Sequence, residues 1–397
     1  MDVRPMTDRD SPRSNATVRS HHQPLRIGFV YDWNACRDAT GVTRHALAQL
    51  IRLSQRADIE LHAVSGRIRD PDGLAFWESL GTLPRRELPI STRNALRFWR
   101  VAGWPPLEWW TGSVDWVYSP AEYLLPTRTA RRAVTSHDAL QDATYGSDRR
   151  KQLLTRIFSQ ADLILSVSQF NTDRLREFFP ASRGKIAQVP NGADDLFFEP
   201  ATDRERASIR ADLGLPLAMP YLLSVANFQP RKNLERLIRV VARLPEVARG
   251  ELALVLLGSG SPTEVETLRN LAETAGSKAI IRLPGYRQNR QLRAAYAEAV
   301  ALVFPSLCES FGIPAIEAMA TGCPVALANS TALPEVGGDA AWYFDPTADD
   351  HLLAVLTKLI DDAAQRDQKV HLGRQLAENF RWDRSTQMLI TAMRLRA

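Results

Sequence analysis

Lysine is scarce in this chain of 397 residues: of 50 basic side chains, six are lysine and the other 44 are arginine. Against 45 acidic side chains the net charge is only +5, so the arginine bias fits genome composition and points to no nucleic-acid partner. A weak attraction to phosphates or anionic lipid is all that the charge implies, and a lysine at a special position stands out. Cysteine is scarcer still. Cys36, Cys308 and Cys323 are too few and too scattered for a disulfide framework, and a cytoplasmic location is expected. No run of about 18 apolar residues exists, so no membrane-spanning helix is predicted. Residues 1–24 lack the apolar stretch of a signal peptide and read as a disordered tail. No His/Cys cluster has metal-ligand spacing.

What the chain does have is alternation. LRIGFVY (25–31) is a nearly continuous apolar run, as in a strand buried on both faces. The loop DWNACRDATG and the helical pattern VTRHALAQLIRLSQ follow it. VDWVYSP, RRAVTSHD, DLILSVS and KIAQVPNG are further strands ending in small or polar residues, and a second series runs YLLSVANF, LALVLLGSG, AIIRLPG, ALVFPS with helices between. Strand–helix alternation implies parallel sheets with crossover helices. Two series in a chain this long imply two doubly wound α/β domains, with a boundary in the polar segment 193–216. The expected division is a tail over 1–24, domains over 25–198 and 199–378, and a closing helix over 379–397 with room to return to the first domain. In such folds ligands bind at the carboxyl ends of strands, here in the cleft between the domains.

The segment PSLCESFGIPAIEAMATGCPVAL (305–327) carries Glu309 and Glu317 eight residues apart. Glu309 falls in the loop after the strand ALVFPS; Gly312 and Pro314 mark the start of a helix, and Glu317 lies about one turn into it. Between them the backbone N–H groups of Ser310, Phe311 and Gly312 stand at the positive end of the helix dipole, a place suited to phosphate. A phosphate flanked by two hydroxyl-binding carboxylates describes a nucleotide sugar. A capping carboxylate and an ordinary helix glutamate would share the spacing.

The order strand, loop Glu, Gly-Pro turn, second Glu resembles the E-x7-E motif of retaining GT-B glycosyltransferases, in particular family 4. ATGCPVALANSTALPEVGGDAAWYFDP, VPNGADDLFF and SVANFQPRKNLERLI are similar to that family as well. The resemblance runs from about Leu25 to the C-terminus and implies two Rossmann-like domains facing across a cleft. It also implies a hydroxyl-binding role for Glu309 on the donor sugar and for Glu317 on the ribose, and a charge-neutralising role for Lys232 in PRKN on the donor diphosphate, with a solvated helix-start lysine the alternative. Where many members carry an arginine this chain has Asn227, and Arg231 is the substitute candidate. Gly41 resembles the glycine loop that approaches the phosphates, although one glycine stands where a pair is usual. A plain helix-start glycine is the alternative. His137 matches a histidine beside the transferred sugar, and a strand-end histidine with a structural role is the alternative.

Other chemistries fit less well. LLGSGSP has G-x-G but no third glycine, so a nicotinamide enzyme is set aside and Gly258 is placed near the nucleotide instead. The Asp-x-Asp of metal-dependent transferases occurs only as Asp70-Pro71-Asp72, read as a turn, and as Asp8 and Asp10 in the tail. No essential metal or cofactor is expected. Aromatics crowd residues 98–123, where they could serve the core, an acceptor sugar or a membrane surface. The resemblance thus implies transfer of a sugar, with GDP-mannose the first donor expected, to a saccharide or lipid-linked saccharide of a surface polysaccharide. The enzyme would sit in the cytoplasm, with room for a peripheral contact at the inner face of the membrane. A nucleotide-sugar epimerase of the same architecture and a catalytically silent nucleotide-binding assembly protein are the alternatives.

Overall fold

The computed structural model describes residues 23–32, 40–81, 83, 85–137, 148–216, 218–275 and 281–396. The tail expected over 1–24, all but its last two residues, and Cys36 lie outside them. Two parallel sheets organise the rest. The first contains β1 (Leu25–Tyr31), β2 (Ile59–Ser65), β3 (Arg85–Glu87), β4 (Trp116–Ser119), β5 (Arg131–Ser136), β6 (Leu163–Ser166) and β7 (Ile186–Gln188), in the order β3-β2-β1-β4-β5-β6-β7. The second contains β8 (Tyr221–Val225), β9 (Ala253–Leu257), β10 (Ile281–Gly285), β11 (Ala301–Phe304), β12 (Val325–Ala328) and β13 (Ala341–Phe344), in the order β10-β9-β8-β11-β12-β13. The expected pair of doubly wound α/β domains is what the chain forms. Central strands such as ALVLL and LILS are buried throughout because helices cover both faces of each sheet.

In both sheets the winding reverses beside the first strand, between β1 and β4 and between β8 and β11. A crevice opens at such a reversal beyond the carboxyl ends of the strands. Gly41 follows β1, the turn Pro230–Lys232 follows β8 and Glu309 follows β11, so the topology itself brings these segments to the crevice.

Four strands escape the sequence pattern. β2 alternates with the polar Glu60 and His62, β3 is three residues of RRE, and β12 and β13 have four residues each. One reading is corrected. Asp70-Pro71-Asp72-Gly73 is a helix start, not a turn: Pro71 opens the Pro71–Ser79 helix, and the Asp70 side chain accepts from the Gly73 N–H at 2.9 Å. Proline suits the first helical turn, and an N-cap aspartate uses the same residues that favour turns.

The chain passes between the domains twice, and the two crossings lie side by side. Ala193 N–H donates to the Phe380 carbonyl at 2.9 Å. A Cβ on Gly192 would stand 2.6 Å from the Trp382 backbone nitrogen, so only glycine fits the approach. Beyond this crossing the Trp382–Arg394 helix packs Leu389, Ile390 and Met393 into the core of the first sheet. Its Ser385 and Thr386 bond the buried Gln49 of the Gly41–Ser54 helix at 3.1 and 2.9 Å. The polar segment 193–216 forms a short 3-10 turn and the Asp203–Asp212 helix, which is tied to the second domain by Arg206 and Arg210 on Glu298.

Candidate active site

A cavity of about 740 Å³ occupies the cleft, walled by both domains. Gly41 and His137 line it from the first domain; Arg231, Lys232, Gly258, Glu309, Ser310, Phe311, Gly312 and Glu317 line it from the second. Every candidate residue read from the sequence therefore meets the others around one space.

Two tight turns aim the second-domain groups. After β11 the chain reaches Gly312, whose φ of +119° and close approach to Leu333 (2.8 Å from an added Cβ) require glycine before the Ile313–Thr321 helix. Thr331 accepts from the Glu309 N–H at 2.9 Å and holds that loop. After β8, Asn233 ends the Pro230–Lys232 turn in the left-handed region and donates to the carbonyls of Pro305 (3.2 Å) and Pro346 (2.9 Å). Leu307 N–H donates to the Arg231 carbonyl at 2.8 Å, stitching the two loops together. Gly258, at φ +145°, is forced by the Ala226 carbonyl, 1.7 Å from where a Cβ would sit.

The two glutamates have opposite environments. Lys232 Nζ donates to Glu309 Oε1 at 2.5 Å, above the Phe304 ring at 5.4 Å, and Arg231 Nη1 lies 3.6 Å from Glu309 Oε2. Burial alone would raise this carboxyl; Lys232 and Arg231 more than offset it and hold Glu309 below the ordinary carboxylate range. Arg231 also donates to the Cys308 carbonyl at 3.1 Å. Glu317 is 1% exposed, accepts from Tyr296 OH at 3.2 Å and is ion-paired with Arg44 of the first domain. There burial outweighs Arg44 and, with Asp194 nearby, lifts the carboxyl to about 7. Arg44 is further fixed by Asn289 (3.3 Å), which donates to Asp194 at 3.0 Å.

From the first domain, Thr40 caps the Gly41–Ser54 helix in a capping box with Thr43, so a second helix N-terminus faces the cavity. A Cβ on Gly41 would meet only Ile313 of the other domain, at 3.7 Å. His137 Nε2 donates to the Pro120 carbonyl at 2.9 Å, so a ring carrying its proton at Nε2 alone offers Nδ1 as an acceptor. Its ring stands edge-on to His45 at 4.8 Å. Burial and His137 keep His45 neutral, its pKa well below the ordinary value, between Asn191 and Tyr118 at 2.8 Å each.

Known proteins share this arrangement of the chain. Residues 205–375 match the family described as "Glycosyl transferases group 1". Over 376 residues the chain is 30% identical to the O-antigen chain mannosyltransferase B of Escherichia coli, covering 90% of this chain and 96% of that protein. The chain belongs to the group 1 glycosyl transferases. It is also 30% identical over 281 residues to the D-inositol 3-phosphate glycosyltransferase of Corynebacterium aurimucosum, covering 69% of this chain and 67% of that one. Among solved structures, sucrose-phosphate synthase from Thermosynechococcus elongatus superposes with a TM-score of 0.73 at 19% identity, over 94% of this chain and 98% of that one. Anabaena HepE, in complex with UDP and glucose, superposes at 0.71 and 16%, over 94% and 100%. The fold of this group 1 glycosyl transferase is GT-B, two Rossmann-like domains across a cleft.

The glycosyl transferase cavity combines four cations (Arg44, Arg231, Lys232 and Arg287), two helix N-termini and two carboxylates of unequal basicity. That set can hold a diphosphate between polyol groups. Arg231 shares Glu309 with Lys232, while Arg44 of the facing domain stands on Glu317. Arg44 was missed by the sequence reading. Its only signal is its place in the first turn after Gly41, submerged among so many arginines. Among the described residues no group of three His, Cys, Asp or Glu could hold a metal, and no helix is long and apolar enough to cross a membrane.

Proposed function

We propose that this glycosyl transferase moves mannose from GDP-mannose, with retention of anomeric configuration, to a saccharide or lipid-linked saccharide in surface polysaccharide synthesis. The observation that carries the reading is the convergence of Lys232, Arg231, Glu309 and Glu317 on one cavity at the start of the Ile313–Thr321 helix. The likeness to an O-antigen chain mannosyltransferase over nearly the whole of both chains supports the sugar and the pathway class. The acceptor oxygen attacks the anomeric carbon on the face that the diphosphate leaves, through an oxocarbenium-like state, and its proton passes to the departing diphosphate. Lys232, Arg231 and the helix N–H groups stabilise the charge that gathers there. The Lys232 ammonium has three donors, so it can keep Glu309 and hold a phosphate oxygen together. Glu309 orients the sugar hydroxyls, Glu317 the ribose, and His137 accepts a hydroxyl near the transferred sugar through Nδ1.

The test is a thermal-shift screen of GDP-, UDP-, ADP- and TDP-sugars, followed by product analysis with a mannoside acceptor. Selective stabilisation by GDP-mannose and an α-mannosyl product are expected. Selectivity for UDP-sugars, as the UDP-bound relative suggests as the competitor, would overturn the donor. A new sugar stereoisomer formed without acceptor would make the protein an epimerase. Binding with neither transfer nor hydrolysis would make it a silent binder.

A further inference from the structure

One buried polar group on the cavity wall takes no part in the proposed transfer. Asn191 lies just past β7, is 4% exposed and lines the cavity from the first domain. Its Oδ1 stands 2.8 Å from His45 Nδ1, and its Nδ2 has no bonding partner among the described residues. That nitrogen is not sealed among protein atoms, as Asn171 Oδ1 is, so it opens on the cavity. An amide donor left open at such depth calls for an acceptor oxygen on the ligand.

The amide is aimed from behind. His45 is fully buried on the Gly41–Ser54 helix, with Tyr118 OH 2.8 Å from its Nε2 and Thr135 Oγ1 2.8 Å from that hydroxyl. All three bonds are made when Thr135 donates to Tyr118, Tyr118 to His45 Nε2, and His45 Nδ1–H to Asn191 Oδ1. A neutral imidazole that accepts at Nε2 donates at Nδ1, which turns the amide oxygen inward and Nδ2 outward. The backbone is fixed as well. Gly192 packs on the Trp382 nitrogen, Ala193 N–H donates to the Phe380 carbonyl, and the His45 ring stands edge-on to Trp382 at 5.7 Å.

We propose that Asn191 Nδ2 donates to the diphosphate of the bound donor, and that His45 is the positioning residue that aims it. His45 stands one turn into the helix that Gly41 opens, so Asn191 lies beside that N-terminus. A Cβ on Gly41 would meet Ile313, the first residue of the facing helix, at 3.7 Å, so the second N-terminus is close to the first. Two converging positive dipole ends beside an open N–H donor suit an oxyanion better than a neutral hydroxyl. The inference rests on the nucleotide-sugar reading and adds to it a diphosphate contact from the facing domain.

The experiment is titration of the full chain with GDP and UDP, and with guanosine and uridine as references without phosphate, by calorimetry and ligand-observed NMR. Asn191→Ala should weaken the preferred nucleoside diphosphate at least about tenfold and leave its nucleoside unchanged. Asn191→Asp keeps an oxygen toward His45 and turns a negative charge toward the diphosphate, so it should lose more than Asn191→Ala. His45→Asn, whose amide N–H can stand in for Nδ1–H, should bind near the wild-type level, while His45→Phe should lose as much as Asn191→Ala. An unchanged ratio of diphosphate to nucleoside affinity in both Asn191 variants would overturn the proposal and leave the nucleotide-sugar reading intact. So would equal falls in both affinities, which would show a structural role only. Equal losses in His45→Asn and His45→Phe would overturn the positioning role. A wild type that binds neither GDP nor UDP would overturn the inference together with the reading beneath it.

Discussion

Arg44 and Glu317, 273 residues apart, form a buried ion pair that joins the two domains across the cleft. The carboxylate assigned to the donor ribose is thus already held by a cation from the facing domain, and donor binding must share or displace it. Removing one partner of a buried pair leaves an uncompensated charge and typically costs about 3–5 kcal/mol. Arg44→Ala should therefore loosen closure of the unliganded protein. Small-angle scattering should show a larger radius of gyration without donor, recovering when donor supplies hydroxyls to Glu317. An unchanged radius would mean that the pair does not hold the domains.

The raised pKa of Glu317 predicts a pH signature. Its carboxyl is lifted from an ordinary 4.5 to about 7, chiefly by burial, so the folded chain holds that proton more tightly than the unfolded chain. The stability contributed by this group is fully present below about pH 4.5 and is lost as pH rises through about 7. The lost amount is about 3 kcal/mol. Glu317→Gln cannot titrate, while Arg44 stays charged throughout. Denaturant midpoints of the two proteins should thus diverge between these pH values, with the wild type losing ground as pH rises. A pH-independent difference would show that Glu317 titrates like an exposed carboxyl.

These two features mark what the sequence concealed. Glu309, Gly312 and Glu317 share one continuous strand–loop–helix, so spacing and turn chemistry made them candidates beside a plain helix reading, and it was the resemblance to the family that singled out Lys232 after the neighbouring strand. Arg44 has no local signature, because what makes it special is a partner in the other domain. Gly192 was visible in VPNG, but the backbone it admits lies near residue 381, at the far end of the chain. β2 and β3 were invisible for a different reason: β3 is the edge strand and β2 lies next to it, and polar residues there, Glu60 and His62 in β2 and RRE in β3, blur the apolar run. The proline of residues 70–73 failed as a turn signal because helix starts favour the same residues.

Glu309 and Lys232 should behave as a coupled pair in catalysis. Glu309→Ala should lower kcat at least roughly tenfold with little change in affinity for free GDP, since the carboxylate is assigned to the sugar. Lys232→Ala should weaken donor binding by about 1.5–3 kcal/mol, roughly ten- to hundredfold. Because the two groups are in contact, the double variant should lose less than the sum of the single losses. Additive losses, or a collapse of GDP affinity in Glu309→Ala, would reverse the division of roles.

Metal independence is a separate expectation. In the proposed transfer the charge on a departing diphosphate would be met by Lys232, Arg231 and helix N–H groups, all lining or opening on the cavity. Turnover should survive EDTA at millimolar excess. Loss of activity on chelation with recovery in manganese would assign that charge to a cation instead.

The last prediction concerns Glu335, whose carboxylate crosses from the second domain to cap a helix of the first. Oε1 accepts from the Gln169 N–H at 2.8 Å and from Gln188 Nε2 at 2.9 Å, and Oε2 accepts from the Phe170 N–H at 3.2 Å. These N–H groups open the Gln169–Phe178 helix, where a negative charge meets the positive end of the dipole. The contact is exposed, so its loss in Glu335→Ala should cost only about 1 kcal/mol, a roughly fivefold shift toward the open cleft. Salt should produce a similar shift in the wild type and a smaller one in the variant. Donor affinity should fall in proportion to the closed fraction, while kcat at saturating donor stays near the wild-type value. A large fall in kcat with unchanged donor affinity would place Glu335 in the chemistry and not in closure.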